Sequence, residues 1–210
     1  RLDIPTFLDN DVNVGTMGEF THGAGQGANS LVGIFVGTGI GGGIILNGKL
    51  FHGTNKTAGE IGHIIVKAGG PKCNCGNSGC LEAMSSRIAI TKRLRRAILK
   101  QGKKSHISEL NDGNLDSIRS GTLAKAMAAG DKVTIKVMRR TAKYLGIGIA
   151  SVVNFLNPEM IILGGGVVEA LDDKFLDRIR LFTMMRSNME SGIHTTIGVD
   201  SARSVTPHFE

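Results

Sequence analysis

A chain of 210 residues with 25 Lys and Arg against 18 Asp and Glu, hence a formal charge of +7, and with 41% apolar content can bury a real core as one domain. Its longest apolar runs, such as 147–153, fall well short of the roughly 18 residues of a membrane span, and no signal-peptide pattern is visible. All three cysteines cluster between positions 73 and 80, which argues against a disulfide framework and for a reducing compartment, the cytoplasm.

Strand-like and helix-like segments alternate, so the class is α/β. Residues 2–8 read as a short strand broken by Pro5 that delivers Asn10 and Asp11 at its carboxyl end, where α/β crevices are commonly lined. Taken alone, this pair reads first as a common turn or helix cap, and only context favours a site. Residues 12–20 look helical, and Gly23, Gly25 and Gly27 loosen the chain before LVGIFV (31–36), an apolar run of strand length. That run passes directly into Gly37-Thr38-Gly39-Ile40-Gly41-Gly42-Gly43. A dinucleotide fold would open a helix here, whereas IILNGKLFHG follows, with Asn47-Gly48 as a hairpin turn. The glycines therefore lie at a strand-to-strand turn. Such a turn suits either a bare glycine hairpin or an approach of backbone amides and the Thr38 hydroxyl to phosphate.

His63, Cys73, Cys75 and Cys80 offer one imidazole and three thiolates, the ligand set of a closed tetrahedral structural zinc site. Gly69, Gly70, Pro71, Gly76 and Gly79 supply the turns that would fold the sulfurs onto one point. The alternative is a set of buried free cysteines, or a redox pair, beside an unrelated histidine. The stretch 67–80 is rich in glycine and poor in apolar residues, so little besides a metal is expected to order it. Glu60 lies three residues before His63 and Glu82 two residues after Cys80; taken singly, each reads as a surface residue.

From Leu81 the chain turns helical. In 87–104, Ile88, Leu94, Ile98 and Leu99 fall on or near one helical stripe, with Lys92, Arg93, Arg96 and Lys100 on the other side. A solvated face is favoured over a nucleic-acid patch because no aromatics interleave the charges, although a basic rim helps attract anionic nucleotides. A polar break over 103–114 and a short helix near 122–129 follow. Asp131 is placed to cap a long helix running to about Phe155, which Asn157-Pro158 stops. Residues 160–163 form a buried strand ending in Gly164-Gly165-Gly166, 167–189 are mostly helical, and 195–199 are strand-like. Met184, Met185 and Met189 read as core or subunit contact. His22, His52, His106, His194 and His208 receive no role, and no internal repeat is visible.

Glu60-Ile61-Gly62-His63, followed by Cys73-x-Cys75-Gly76-x-x-Gly79-Cys80-Leu81-Glu82, resembles the signature of the ROK family, a group of bacterial-type sugar kinases and sugar-responsive repressors. Asn10-Asp11, the Gly37 to Gly43 turn, Asn157-Pro158-Glu159 and Gly164-Gly165-Gly166 fall in the family's order and approximate spacing. The resemblance implies a ribonuclease H-like (actin-like ATPase) fold, mainly the larger C-terminal lobe of a ROK kinase. Residues 1–22 would then be a remnant of the small lobe and a linker helix, 23–210 the large lobe, and about 63–80 the zinc loop. It further implies that Asn10 and Asp11 bind the sugar, with Asp11 as general base on the hydroxyl being phosphorylated. Glu60, His63 and Glu82 would bind other hydroxyls, His63 using one ring nitrogen for the metal and the other for the sugar. Gly37, Thr38 and Gly39 would meet phosphates, and Gly164, Gly165 and Gly166 would pack under the adenosine. On this resemblance the protein is an ATP- and magnesium-dependent hexose kinase with structural zinc, acting on glucose or a close relative at the 6-hydroxyl. A homo-oligomer, a dimer, is the expected assembly. The alternative from the same resemblance is the sugar-sensing domain of a repressor, with nucleic acid as partner only in that case. The Asp-x-Gly-x-Thr phosphate loop of the kinases does not occur in 1–210, so the chain is expected to be a fragment and inactive alone. Zinc loss is expected to weaken sugar binding more than nucleotide binding, which is placed on the remote Thr38 and Gly165 turns.

Overall fold

The computed structural model describes residue 4 and residues 8–171, 173–187 and 196–199. Its elements are α1 (Asp11–His22), β1 (Leu31–Val36), β2 (Ile40–Leu46), β3 (Lys49–Leu50), α2 (Leu81–Ser85), α3 (Arg87–Arg95), α4 (Ile107–Leu110), α5 (Ser120–Ala128), α6 (Lys132–Leu156), β4 (Met160–Gly164), α7 (Gly166–Glu169), α8 (Asp173–Met184) and β5 (Thr196–Val199). Among the described residues no helix is long and apolar enough to cross a membrane.

The strands form one sheet in the order β3-β2-β1-β4-β5. β1 pairs antiparallel with β2 and parallel with β4, so the central strand joins a hairpin half to a crossover half. Asn47 and Gly48, both at positive φ (51° and 70°), make the hairpin turn between β2 and β3 that Asn-Gly favours. The period-two alternation of a strand decides which layer each β1 side chain meets. Val32, Ile34 and Val36 enter the main core with α6 and its neighbours, while Leu31 joins a smaller cluster with Ile45, Ile162, Met17 and Phe20. The sheet is thus sandwiched between α1 on one face and the helices of the main core on the other.

Helix α1 sits unusually close to the sheet because the strands beneath it lack side chains. A Cβ at Gly33 or Gly43 would lie 2.5 and 2.2 Å from the Thr16 hydroxyl, and one at Gly41 would lie 2.6 Å from Val12. The glycines at 41–43, expected to belong to a turn, are therefore strand residues: Gly41 and Gly43 let α1 dock, Gly42 on the opposite face makes room for Ile61 and the Gly59 carbonyl, and the turn itself is only 37–39. Asp131 caps α6 as expected, accepting from the Thr134 amide at 2.7 Å, and Asn157 ends the helix at φ 45°.

Several expectations change. Within 87–104, Ala89, Ile90, Thr91 and Leu94 are the buried positions, while Ile88 and Leu99 are 41% and 62% exposed. Residues Arg96–Lys100 wind with the wider five-residue repeat of a π-turn, which breaks the phase of a 3.6-residue stripe. Arg93, expected on the solvent side, is half-buried and donates to the Met84 carbonyl; burial, with Arg140 nearby, pulls its pKa down to about 10. The polar stretch 103–114 contains α4, anchored by the fully buried Ile107. Met184 and Met185 are 39% and 65% exposed at the end of α8 and are not core. The strand expected over 2–8 falls outside the described residues apart from Ile4 and Leu8, as do Met189, Thr195, His194 and His208.

Candidate functional site

Asn10 caps α1, its Oδ1 accepting from the Val12 amide at 2.9 Å. Asp11 is thereby the first helical residue, where the helix dipole favours a carboxylate. Behind the pair, Asp9 holds the approach to the helix. Its carboxylate accepts from Asn13 Nδ2 (2.9 Å) and the Asn10 amide (2.7 Å), and it meets His52 Nε2 at 2.6 Å. The Asn13 bond, then His52, then the Asn10 amide pull the Asp9 carboxyl down to about 2. His52, which received no role from the sequence, is thus bonded beside the candidate base.

Across a cavity of about 480 Å³, within the usual range of small-molecule sites, lies the turn between β1 and β2. Asn10, Asp11, Glu60, Glu82, Gly37, Thr38, Gly39 and Gly165 all line this one cavity. Thr38 and Gly165 are therefore not remote from the carboxylates, as was expected; the parallel pairing of β1 with β4 brings both turns to the same end of the sheet. Gly164 ends β4 and Gly166 opens α7, and neither lines the cavity. His63 stands behind the wall, its Nε2 3.7 Å from Glu60 Oε2.

The glycines of these turns have separate reasons. A Cβ on Gly39 would lie 2.4 Å from Glu82 Oε2, the oxygen that accepts from the Ile40 amide at 3.0 Å. Gly165 has φ 87°, and a Cβ there would be 2.8 Å from the backbone of Val36. Close packing on β1 and the positive φ are by themselves enough to require that glycine. A Cβ on Gly37, by contrast, would meet nothing within 4 Å, and one on Gly166 only Ser120 Oγ at 3.8 Å. The fold itself leaves these two open, so close packing does not account for them.

The donor atoms of His63, Cys73, Cys75 and Cys80 lie within 4.8 Å of one another. Tetrahedral bonds to zinc of about 2.3 Å from sulfur and 2.0–2.1 Å from nitrogen give edges of about 3.8 Å for S···S and about 3.6 Å for S···N. Cys75 and Cys80 Sγ are 3.6 Å apart, and His63 Nδ1 is 3.6 Å from Cys73 Sγ. The cluster fits that ion. Burial first, then the neighbouring Cys75 and Cys73, pushes the Cys80 thiol up to about 12, so a thiolate there calls for a cation beside it. The loop also has an order of its own, corrected from the expectation: the Gly79 amide donates to the Pro71 carbonyl and the Cys73 amide to that of Asn77, each at 2.8 Å. Cys73 Sγ lies 3.8 Å from Glu82 Oε1, so the metal cluster abuts one cavity carboxylate through Cys73 and another through His63.

Asn13, Phe35 and Lys56 line the cavity without having been singled out. Asn13, one helical turn after Asn10, had a signal in that spacing; Lys56, at φ 58° in a loop, had none.

Residues 1–199 match the ROK family. Over 175 residues the chain is 42% identical to a glucokinase of Halalkalibacterium halodurans, covering 80% of this chain and 51% of that protein. It is also 33% identical over 187 residues to a xylose repressor of Caldicellulosiruptor bescii, covering 89% of this chain and 46% of the repressor. Among solved structures, a ROK family glucokinase from Streptomyces griseus in complex with glucose and AMPPNP superposes with a TM-score of 0.82 at 32% identity, over 94% of this chain and 64% of that one. The chain spans about half the length of the curated relatives it matches.

Proposed function

This chain belongs to the ROK family, has its actin-like α/β fold and carries its His and Cys cluster, and from that premise we propose that its complete protein is an ATP-dependent hexose kinase acting on glucose or a close relative. The observation that carries this reading is the placing of Asn10 and Asp11 across one cavity from the Thr38 turn. A carboxylate across a cavity from a turn bearing a hydroxyl donor is an arrangement suited to phosphoryl transfer to a hydroxyl.

In this reading Asn10, Glu60 and Glu82 hold ring hydroxyls by charge-assisted and neutral hydrogen bonds. Glu82 has one oxygen committed to the Ile40 amide and so is fixed in direction before the sugar arrives. Asp11 accepts the proton of the 6-hydroxyl as its oxygen attacks the γ-phosphorus of ATP, and the leaving ADP keeps the electron pair of the broken P–O bond. The Thr38 hydroxyl and the Thr38 and Gly39 amides donate to the phosphate oxygens as charge shifts toward the leaving group, while the Gly37 amide closes the turn on the Gly39 carbonyl at 2.9 Å. Magnesium, when bound with ATP, screens the negative charge of the phosphate chain. His63, Cys73, Cys75 and Cys80 would hold zinc, which with four protein ligands would supply shape to the wall behind Glu60 and Glu82 and leave no open position for chemistry.

In the complete protein, Asp11→Asn is expected to keep sugar affinity while the rate of phosphoryl transfer falls by roughly two to four orders of magnitude. Near-normal turnover in that variant refutes the assignment of the base. The similarity to a xylose repressor favours a second reading, in which the same cavity senses sugar without turnover. A complete wild-type protein that binds sugar in calorimetry yet consumes no ATP decides for that reading.

A further inference from the structure

We propose that Arg87 reads the phosphate chain of the nucleotide, both by setting the Thr38 hydroxyl as a donor and by offering its own free N–H groups to the same phosphates. The inference rests on the kinase reading above and extends it to a residue that has no counterpart among the sugar and phosphate contacts named so far.

Arg87 opens α3 directly after Ser86, whose hydroxyl caps the helix by accepting from the Ala89 amide at 3.2 Å. Two bonds stitch it to the turn between β1 and β2. Its backbone amide donates to the Gly37 carbonyl at 2.9 Å, and its Nη2 donates to Thr38 Oγ1 at 2.6 Å. A hydroxyl has two lone pairs and one hydrogen. With a guanidinium N–H on one lone pair, the Thr38 hydrogen is left to point away from Arg87 and is satisfied only by an acceptor. The adjacent positive charge polarises that O–H and strengthens the bond it gives.

The guanidinium itself is under-used. It carries five N–H groups. Among the described residues no carboxylate forms an ion pair with it, whereas Arg95 meets Asp116 at 3.1 Å and Arg180 meets Asp177 at 3.2 Å. Arg87 also lines a second cavity, of about 260 Å³, together with Thr38, Thr91, Lys92, Asp116 and Ser117. This cavity and the one holding Asn10 and Asp11 have Thr38 in common, so a nucleotide with its terminal phosphates at 37–39 has the second cavity beside it for its remaining part. A planar fork at the junction matches two phosphate oxygens at once, which a lysine ammonium cannot do.

The test uses the complete protein and ATP, with Arg87→Ala, Arg87→Lys, Thr38→Val and the double variant Thr38→Val with Arg87→Ala. Loss of a charged hydrogen bond is expected to raise KM for ATP about ten- to a hundredfold in Arg87→Ala, with KM for sugar within about twofold of wild type. Arg87→Lys falls between, and the double variant falls short of the product of the single effects because both residues act on one phosphate group. A merely structural stitch instead raises both KM values together and lowers the melting temperature in step, which overturns the proposal. Full recovery by lysine overturns the forked contact, and an unchanged KM for ATP in Arg87→Ala, in an enzyme that turns over normally, overturns the role of Arg87 alone. Wild type that binds sugar but not ATP overturns the kinase reading and this inference with it.

Discussion

Replacing Gly39 by alanine isolates one contact in the candidate site. Gly39 does not have positive φ, so alanine brings no backbone strain, and the whole effect comes from its Cβ. That atom would lie 2.4 Å from Glu82 Oε2, about 1 Å inside an ordinary contact, so the carboxylate has to retreat by that distance or more. Retreat breaks the 3.0 Å bond from the Ile40 amide, and Ile40 is only 5% exposed, leaving a buried donor unpaired at a cost of about 1–3 kcal/mol. For a domain of this size each kcal/mol shifts the melting temperature by roughly 2–4 °C. The displaced Glu82 no longer meets the sugar, so affinity measured by calorimetry on the complete protein should fall together with stability. Gly37→Ala is the control: its Cβ meets nothing within 4 Å, so the melting temperature should hold while the added methyl obstructs nucleotide binding. If Gly39→Ala keeps both stability and sugar affinity, or if Gly37→Ala loses as much stability as Gly39→Ala, the steric account of this turn is wrong.

Elemental analysis should find about one zinc per chain, and chelation should weaken sugar binding more than ATP binding. The cluster abuts Glu60 and Glu82 through His63 and Cys73, whereas Thr38 is held by α3 through Arg87; equal loss of both affinities would mean that the metal supports the whole cleft. Asp131 offers a pH test. Burial alone would raise its pKa, but donation by the Thr134 amide, the Ser105 hydroxyl and the His106 amide outweighs that and lowers it below its ordinary 3.8. A carboxyl with a lowered folded pKa contributes stability above its unfolded pKa and loses it as pH falls through the folded value. Asp131→Asn keeps an accepting oxygen and removes the charge, so its melting temperature should lie below wild type at neutral pH and converge with it only as pH falls from 3.8 through the lower folded pKa. A gap that stays constant with pH would show that the charge contributes nothing.

What was legible in the sequence is what short separations encode. The strands at 31–36 and 160–163, the Asn47-Gly48 turn, the Asp131 cap and the Asn157-Pro158 stop each depend on neighbours a few residues apart, and each stands where it was expected. The metal cluster was legible for the same reason, since four donors within 18 residues and glycines between them leave few other ways to fold. Motif order carried the family resemblance. Tertiary structure decided everything carried by contacts between distant positions. Glu82 on the Ile40 amide, Arg87 on Thr38 and His52 on Asp9 join residues 42, 49 and 43 positions apart, and no local pattern announces them. The glycine-rich stretch makes the same point within seven residues: Gly37 borders open space, Gly39 admits Glu82, and Gly41 and Gly43 admit α1. A glycine in a sequence says only that something needs room, and which neighbour occupies the room is settled when helix and strand pack. The π-turn at Arg96–Lys100 shows the converse limit, because one change of winding rotates every later side chain, and a stripe drawn at 3.6 residues per turn then points Leu99 into solvent.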